Sequence, residues 1–136
     1  LMDRYDYGDS PIFIADRGFS SYNVFAHAIE NKVDFLIHAK DLNVQRFLGV
    51  ETLPDKLDTT IELILTRTQS KKKHKHSEKA SQYRFIYKNT TFDYFIPADI
   101  YDEYPLKLRI VRFEVADGVF ERSLFLFFCF ITSFSR

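Results

Sequence analysis

The stretch from Ile12 to Asp41 constrains the fold of this chain more than any other, because it reads as strand, tight turn, helix and strand in direct succession. Ile12, Phe13, Ile14 and Ala15 form a short apolar run, which predicts a strand buried on both faces. Asp16 ends that run, and Gly18 is expected to supply a flexible corner. Ser20 or Ser21 can cap the following helix, since a hydroxyl accepts a hydrogen bond from an unpaired first-turn amide. Within the helix Val24, Phe25, Ala28 and Ile29 recur at helical spacing and share one side. Val33 to Ala39 is a second apolar run, interrupted by Asp34 and His38. Two strands joined through a helix make a parallel crossover, so the expected fold class is α/β. Asp16 then stands at the carboxyl end of a strand, where open α/β sheets place ligands. The plainer role for it is to cap the turn or to pair with Arg17.

Length and composition bound the rest. At 136 residues the chain is one domain or part of one, and its 46% hydrophobic and 28% charged content is that of a globular protein. Nineteen basic and nineteen acidic residues give no net charge, so any contact with nucleic acid must come from local patches. The single cysteine, Cys129, excludes an intrachain disulfide and a cysteine zinc site. No long apolar segment follows Leu1, which fits a cytoplasmic protein without a signal peptide. Asp3, Asp6 and Asp9 lie close together, but calcium loops need a fuller ligand pattern with a closing Glu, and a solvated lead-in to the strand is the expectation.

After Lys40, the spacing of Val44, Phe47 and Leu48 predicts a short helix, ended by Gly49 and followed by a loop at Pro54 and Asp55. Residues 59 to 116 read as antiparallel β. Ile61, Leu63 and Leu65 alternate with Glu62, Ile64 and Thr66, and Tyr83, Phe85 and Tyr87 alternate with Arg84, Ile86 and Lys88. Asn89 to Thr91 predicts a turn, and Pro97, Asp99, Asp102 and Pro105 mark a connection. Leu106, Leu108 and Ile110 alternate, then the phase shifts to Val111, Phe113 and Val115, which predicts a β-bulge near Ile110. Asp117-Gly118 reads as a hairpin turn.

Between the first two of these strands lies Arg67 to Lys79, basic and without an apolar residue, which predicts a mobile loop. Lys71, Lys72, Lys73 and Lys75 can bind phosphate, or they can serve as a charged hairpin tip that keeps an edge soluble. His74 and His76 alone make an incomplete metal site, and the adjacent lysines repel a cation.

Leu124 to Ile131 is an unbroken apolar run, too short for a bilayer span of about 20 residues. It reads either as a core strand or as the product of a shifted reading frame, because charge almost vanishes after Glu121 and Phe and Ser dominate.

Ala15-Asp16-Arg17-Gly18-Phe19, followed by a helix and then by Phe35-Leu36-Ile37-His38-Ala39-Lys40, resembles the second-aspartate region of the IS4-type DDE transposases. The resemblance covers about residues 1 to 120. It implies a partial ribonuclease H-like strand-helix-strand unit over residues 1–45, followed by an antiparallel β insertion over 46–120 and an apolar tail over 121–136. It also implies an enzyme that cuts and rejoins transposon-end DNA, with Asp16 as catalytic residue and metal ligand. The implied cofactor is Mg²⁺, held as a pair of ions about 4 Å apart by several carboxylates. Arg17, Lys40 and the lysines at 71, 72, 73 and 75 would contact DNA. His38 departs from the pattern, since relatives more often carry Arg there. The family's first aspartate, and the helix bearing a Tyr, an Arg and the last Glu, have no counterpart in this sequence, so the expectation is a truncated, inactive remnant. Two other classes stay open: a non-catalytic DNA-binding fragment, and a phosphoacceptor domain with Asp16 at the strand end.

Overall fold

A computed structural model describes residues 11–68, 78–95, 103–113 and 125–128. Among them the chain is mixed α/β. Strand β1 (Ile12–Ala15) leads through a 3₁₀ turn at Arg17–Phe19 into helix α1 (Tyr22–Glu30), then strand β2 (Asp34–Ile37) and helix α2 (Asp41–Leu48). Strands β3 (Leu57–Thr66), β4 (Tyr83–Phe85), β5 (Glu103–Arg112) and β6 (Phe125–Phe128) follow. β1 and β2 make a two-stranded sheet, and the other four make a sheet in the order β4-β3-β5-β6. The chain divides into two compact units, Leu1–Ile61 with Leu108–Arg136, and Glu62–Lys107.

In the first unit the predicted crossover is present. β1 and β2 pair in parallel, with Phe13 opposite Phe35 and Ala15 opposite Ile37. The helix between them starts at Ser21, whose hydroxyl accepts the Val24 amide at 3.3 Å, so of the two serines it is Ser21 that caps. One sheet face carries Phe13, Ala15, Phe35 and Ile37, because side chains alternate along a strand. Helix α1 covers that face. Phe25 stacks on Phe35 with ring centroids 5.5 Å apart, and meets Phe47 of α2 edge-on at 5.8 Å. Phe25, Phe35, Ile37 and Val44 are wholly or almost wholly buried there.

The opposite face corrects the expectation for β1. Ile12 is 62% exposed and Ile14 is 72% exposed, so β1 is not buried on both faces. The helices of the unit cover the Phe13 face, and among the described residues β1 has a hydrogen-bonded neighbour on one side only. A continuous apolar run gives no period by which to tell a one-sided strand from a two-sided one. Gly18 also departs from expectation. It lies within the 3₁₀ turn with an ordinary φ, and a Cβ there would meet nothing within 4 Å. The corner is made instead by backbone bonds, from Phe19 N–H to the Asp16 carbonyl at 2.9 Å and from Ser21 N–H to the Phe19 carbonyl at 2.9 Å.

Helix α2 ends where predicted. Gly49 takes a left-handed conformation with φ 71°, and its N–H donates to the Gln45 carbonyl. Farther on, Arg112 donates to the Leu53 and Pro54 carbonyls at 3.3 and 2.8 Å and so pins the loop after α2. Arg109 forms a two-pronged bond to Asp58, at 2.9 and 2.8 Å.

The β region differs from the sequence reading in several ways. First, β4 pairs with β3 in parallel, with Ile64 opposite Tyr83 and Thr66 opposite Phe85, so this pair is not the antiparallel hairpin expected. The connection from Arg67 to Gln82 explains the difference, because it is long enough for a crossover between parallel strands. Second, β4 stops at Phe85, leaving Ile86 buried and Tyr87 exposed rather than placing Tyr87 on a common buried face. Third, no bulge interrupts the β5–β6 pairing. Its antiparallel register runs one residue at a time from Arg109 opposite Phe128 to Arg112 opposite Phe125. Pro105 lies inside β5 rather than in the connection before it, on an exposed position. The alternation itself holds, since Tyr104, Leu106, Leu108 and Ile110 are all buried. Within the apolar tail, Phe125–Phe128 forms a strand. The expected turns at Asp117-Gly118 and around Pro97 lie outside the described residues.

Candidate functional site at the carboxyl end of the parallel strands

Asp16 follows β1 directly, and His38 follows β2. Because the strands are parallel and in register, the two residues stand side by side at the carboxyl edge of the sheet. The His38 amide extends the ladder by donating to the Ala15 carbonyl at 3.1 Å. His38 Nδ1 comes within 3.8 Å of Asp16 Oδ1. That is an ion-pair distance, beyond hydrogen-bonding range.

Asp16 also caps the turn. Its Oδ1 accepts the Arg17 backbone amide at 2.6 Å. The side chain is nonetheless 79% exposed, so solvent and ligands reach it. His38 is 20% exposed, and its Nε2 is buried with no hydrogen-bond partner among the described residues. The Ser20 hydroxyl is likewise buried and without a partner there.

Lys40 lies at the same end of the sheet. It is the exposed residue that precedes α2, and its side chain makes no capping bond. Arg17 is exposed in the 3₁₀ turn. Asp16, Arg17 and Lys40 are therefore all placed at the carboxyl end of β1 and β2, as predicted. Asp34 pairs with Ile12 at the opposite end, away from that edge. Lys71, Lys72, Lys73 and Lys75 lie outside the described residues, as do His74 and His76. Among the described residues no three or more His, Cys, Asp or Glu side chains converge as a metal-holding group. No described helix is long and apolar enough to cross a membrane.

The second unit holds a cationic hollow that sequence reasoning did not single out. A cavity of about 370 Å³ is lined by Arg67, Phe85, Tyr87, Lys88 and Asn89. Arg67 donates to the Tyr87 carbonyl at 2.6 Å and the Thr90 carbonyl at 2.9 Å, and its guanidinium lies 5.3 Å from the centre of the Phe95 ring. Thr90 N–H closes the turn on the Tyr87 carbonyl at 2.9 Å. The one sequence signal was the predicted turn at Asn89 to Thr91. A turn leaves carbonyls unpaired, and an arginine just beyond a strand end can collect them.

No family model, no curated protein and no solved structure matches this chain. The site rests on its own geometry.

Proposed function

We propose that the chain is a DNA-contacting module of the IS4-type DDE transposase kind, with Asp16 as one carboxylate of that chemistry. The observation that carries this reading is the exposed Asp16 at the carboxyl edge of a parallel strand pair, flanked by Arg17 and Lys40. An acid at that edge is a ligand position, and neighbouring cations attract phosphate. The ribonuclease H-like character of the unit and the DNA contacts of Lys71, Lys72, Lys73 and Lys75 belong to the same proposal. The hollow beside Arg67 and Lys88 adds a second cationic surface.

The reading implies Mg²⁺. Asp16 suits one ligand position, since its carboxylate is exposed and oxygen donors fit that ion. The described residues supply no group of three ligands, so they do not form a complete magnesium site by themselves. The role we assign to the described residues is non-catalytic DNA contact.

The test is binding of a short labelled duplex, followed by fluorescence anisotropy at rising salt. The expected result is affinity that falls steeply between about 50 and 200 mM salt, with the slope reduced in a variant in which Lys71, Lys72, Lys73 and Lys75 are all replaced by Ala. No binding at the lowest salt would overturn the proposal. Plasmid nicking in Mg²⁺ is expected to be absent. Nicking that disappears in Asp16→Ala would replace the non-catalytic role with a catalytic one.

A further inference from the structure

We infer that His38 is a positioning residue for Asp16, acting as an Nδ1–H donor that holds one carboxylate oxygen and leaves the other facing outward. The consequence for ligand binding rests on the proposed function, whereas the His38–Asp16 coupling can be tested on its own.

The argument begins with the two ring nitrogens. An uncharged imidazole carries one N–H and one lone pair, on either nitrogen. Nδ1 lies 3.8 Å from the Oδ1 of Asp16, whereas Nε2 is buried with no partner among the described residues. Either placement of the proton leaves the buried Nε2 unmatched, as a donor or as an acceptor, so the choice falls to Nδ1: with the proton on Nε2, the Nδ1 lone pair would face a carboxylate oxygen, which repels it. With the proton on Nδ1, an N–H points at that oxygen and attracts it. The second arrangement gains an interaction that the first turns into a repulsion. At 3.8 Å the attraction is electrostatic, and the inferred hydrogen bond requires the exposed Asp16 side chain to turn toward His38.

Asp16 Oδ1 already accepts the Arg17 amide at 2.6 Å. An sp² oxygen has room for two donors, so Arg17 N–H and His38 Nδ1–H share Oδ1. Oδ2 then remains as the free acceptor at the strand end. Partners that orient a ligating carboxylate in this way tune its affinity, typically by about 10- to 100-fold. His38 itself needs no contact with metal or DNA for this role. The arrangement also gives a physical role to the position at which this sequence departs from the arginine of the family it resembles.

The test is ¹⁵N spectroscopy of the histidine rings in the full chain, at a pH where the spectrum shows the His38 ring uncharged. The expected spectrum places the proton on Nδ1. In Asp16→Ala, the ratio of the two ring forms is expected to shift toward Nε2–H by about tenfold or more, as loss of a hydrogen bond to a charged group implies. The backbone amide spectrum of the same sample reports whether the variant keeps its fold. Asp16→Asn, which retains an acceptor oxygen without the charge, is expected to shift the ratio part of the way and serves if Asp16→Ala unfolds. A ring with its proton on Nε2 in the unaltered chain would overturn the inference, as would an Nδ1–H ring indifferent to both substitutions. A second arm uses Mn²⁺ as a probe and reads the broadening of the Arg17 amide signal. His38→Gln is expected to weaken that Mn²⁺ effect about tenfold. If the unaltered chain shows no broadening at Arg17, the metal-ligand reading of Asp16 fails, while the ring spectrum still decides the role of His38.

Discussion

Removing the Phe25 ring is expected to destabilise the first unit more than any other single change at the parallel strands. Phe25 is fully buried, lies 5.5 Å from the Phe35 ring at nearly parallel planes, and meets the Phe47 ring at 5.8 Å. One side chain thus joins α1 to β2 and to α2. Phe25→Ala removes the transfer free energy of the ring and leaves a cavity, and such changes cost about 3–5 kcal/mol. The two ring contacts place it in the upper half of that range, because each aromatic pair adds roughly 0.5–1.5 kcal/mol beyond burial. Against a typical total stability of about 5–15 kcal/mol, the loss is large. Urea unfolding followed by far-UV circular dichroism measures it: the midpoint should fall while the slope stays unchanged. Phe25→Leu fills much of the space and should lose less. A midpoint shift worth under about 1 kcal/mol for Phe25→Ala would refute the claim that this ring anchors the crossover.

The exposed face of β1 makes the opposite prediction: Ile12→Thr and Ile14→Thr should each change stability by no more than about 0.5 kcal/mol in the same urea assay, as surface substitutions do. The two glycines should separate. Gly18→Ala is expected to be neutral or stabilising by up to about 1 kcal/mol, because its backbone is ordinary and its surroundings open, whereas Gly49→Ala should destabilise because φ is 71° there. Acid should weaken the first unit partly through Asp58. Its two-pronged bond to Arg109 lowers the carboxyl pKa below the ordinary 3.8, so near and below that value the folded chain binds fewer protons than the unfolded one. Stability from this pair is therefore present above about pH 4, is lost as pH falls through the lowered value, and is removed at neutral pH by Asp58→Ala. Unfolding midpoints at a series of pH values, compared between the two proteins, check the sign.

The elements whose patterns are redundant were legible in the sequence. The crossover is marked by two apolar runs, a capping serine and helical spacing, and all three coincide in the structure. The end of α2 at Gly49 is similarly written twice, in pattern and in punctuation, whereas the alternation from Leu106 to Ile110 is written in pattern alone, with Pro105 inside the strand. What failed depends on neighbours distant in the chain. Whether Ile12 is covered depends on what lies across the sheet face, and an apolar run carries no such information. The parallel pairing of β4 with β3 depends on the path taken after Arg67, and period-two alternation has no direction. The positions of Asp16, Arg17 and Lys40 just beyond the strand ends follow from element order, which is legible in the sequence. The nearness of His38 follows from the register of β1 and β2, which the sequence does not state.

Capping the turn and serving as a ligand do not compete at Asp16, and that settles how its two readings relate. The Arg17 amide occupies Oδ1, a bond that any residue with a short side-chain acceptor can make. A cap alone does not require a charge, high exposure or an imidazole 3.8 Å away, yet Asp16 has all three. Substitutions can therefore divide the roles, because Asn retains an acceptor for the Arg17 amide while discarding the negative charge. If the local fold survives that exchange and electrostatic binding at the strand end changes, the charge serves a ligand and not the turn. The turn then accounts for where Asp16 sits, and the charge accounts for why an aspartate is suited to that place.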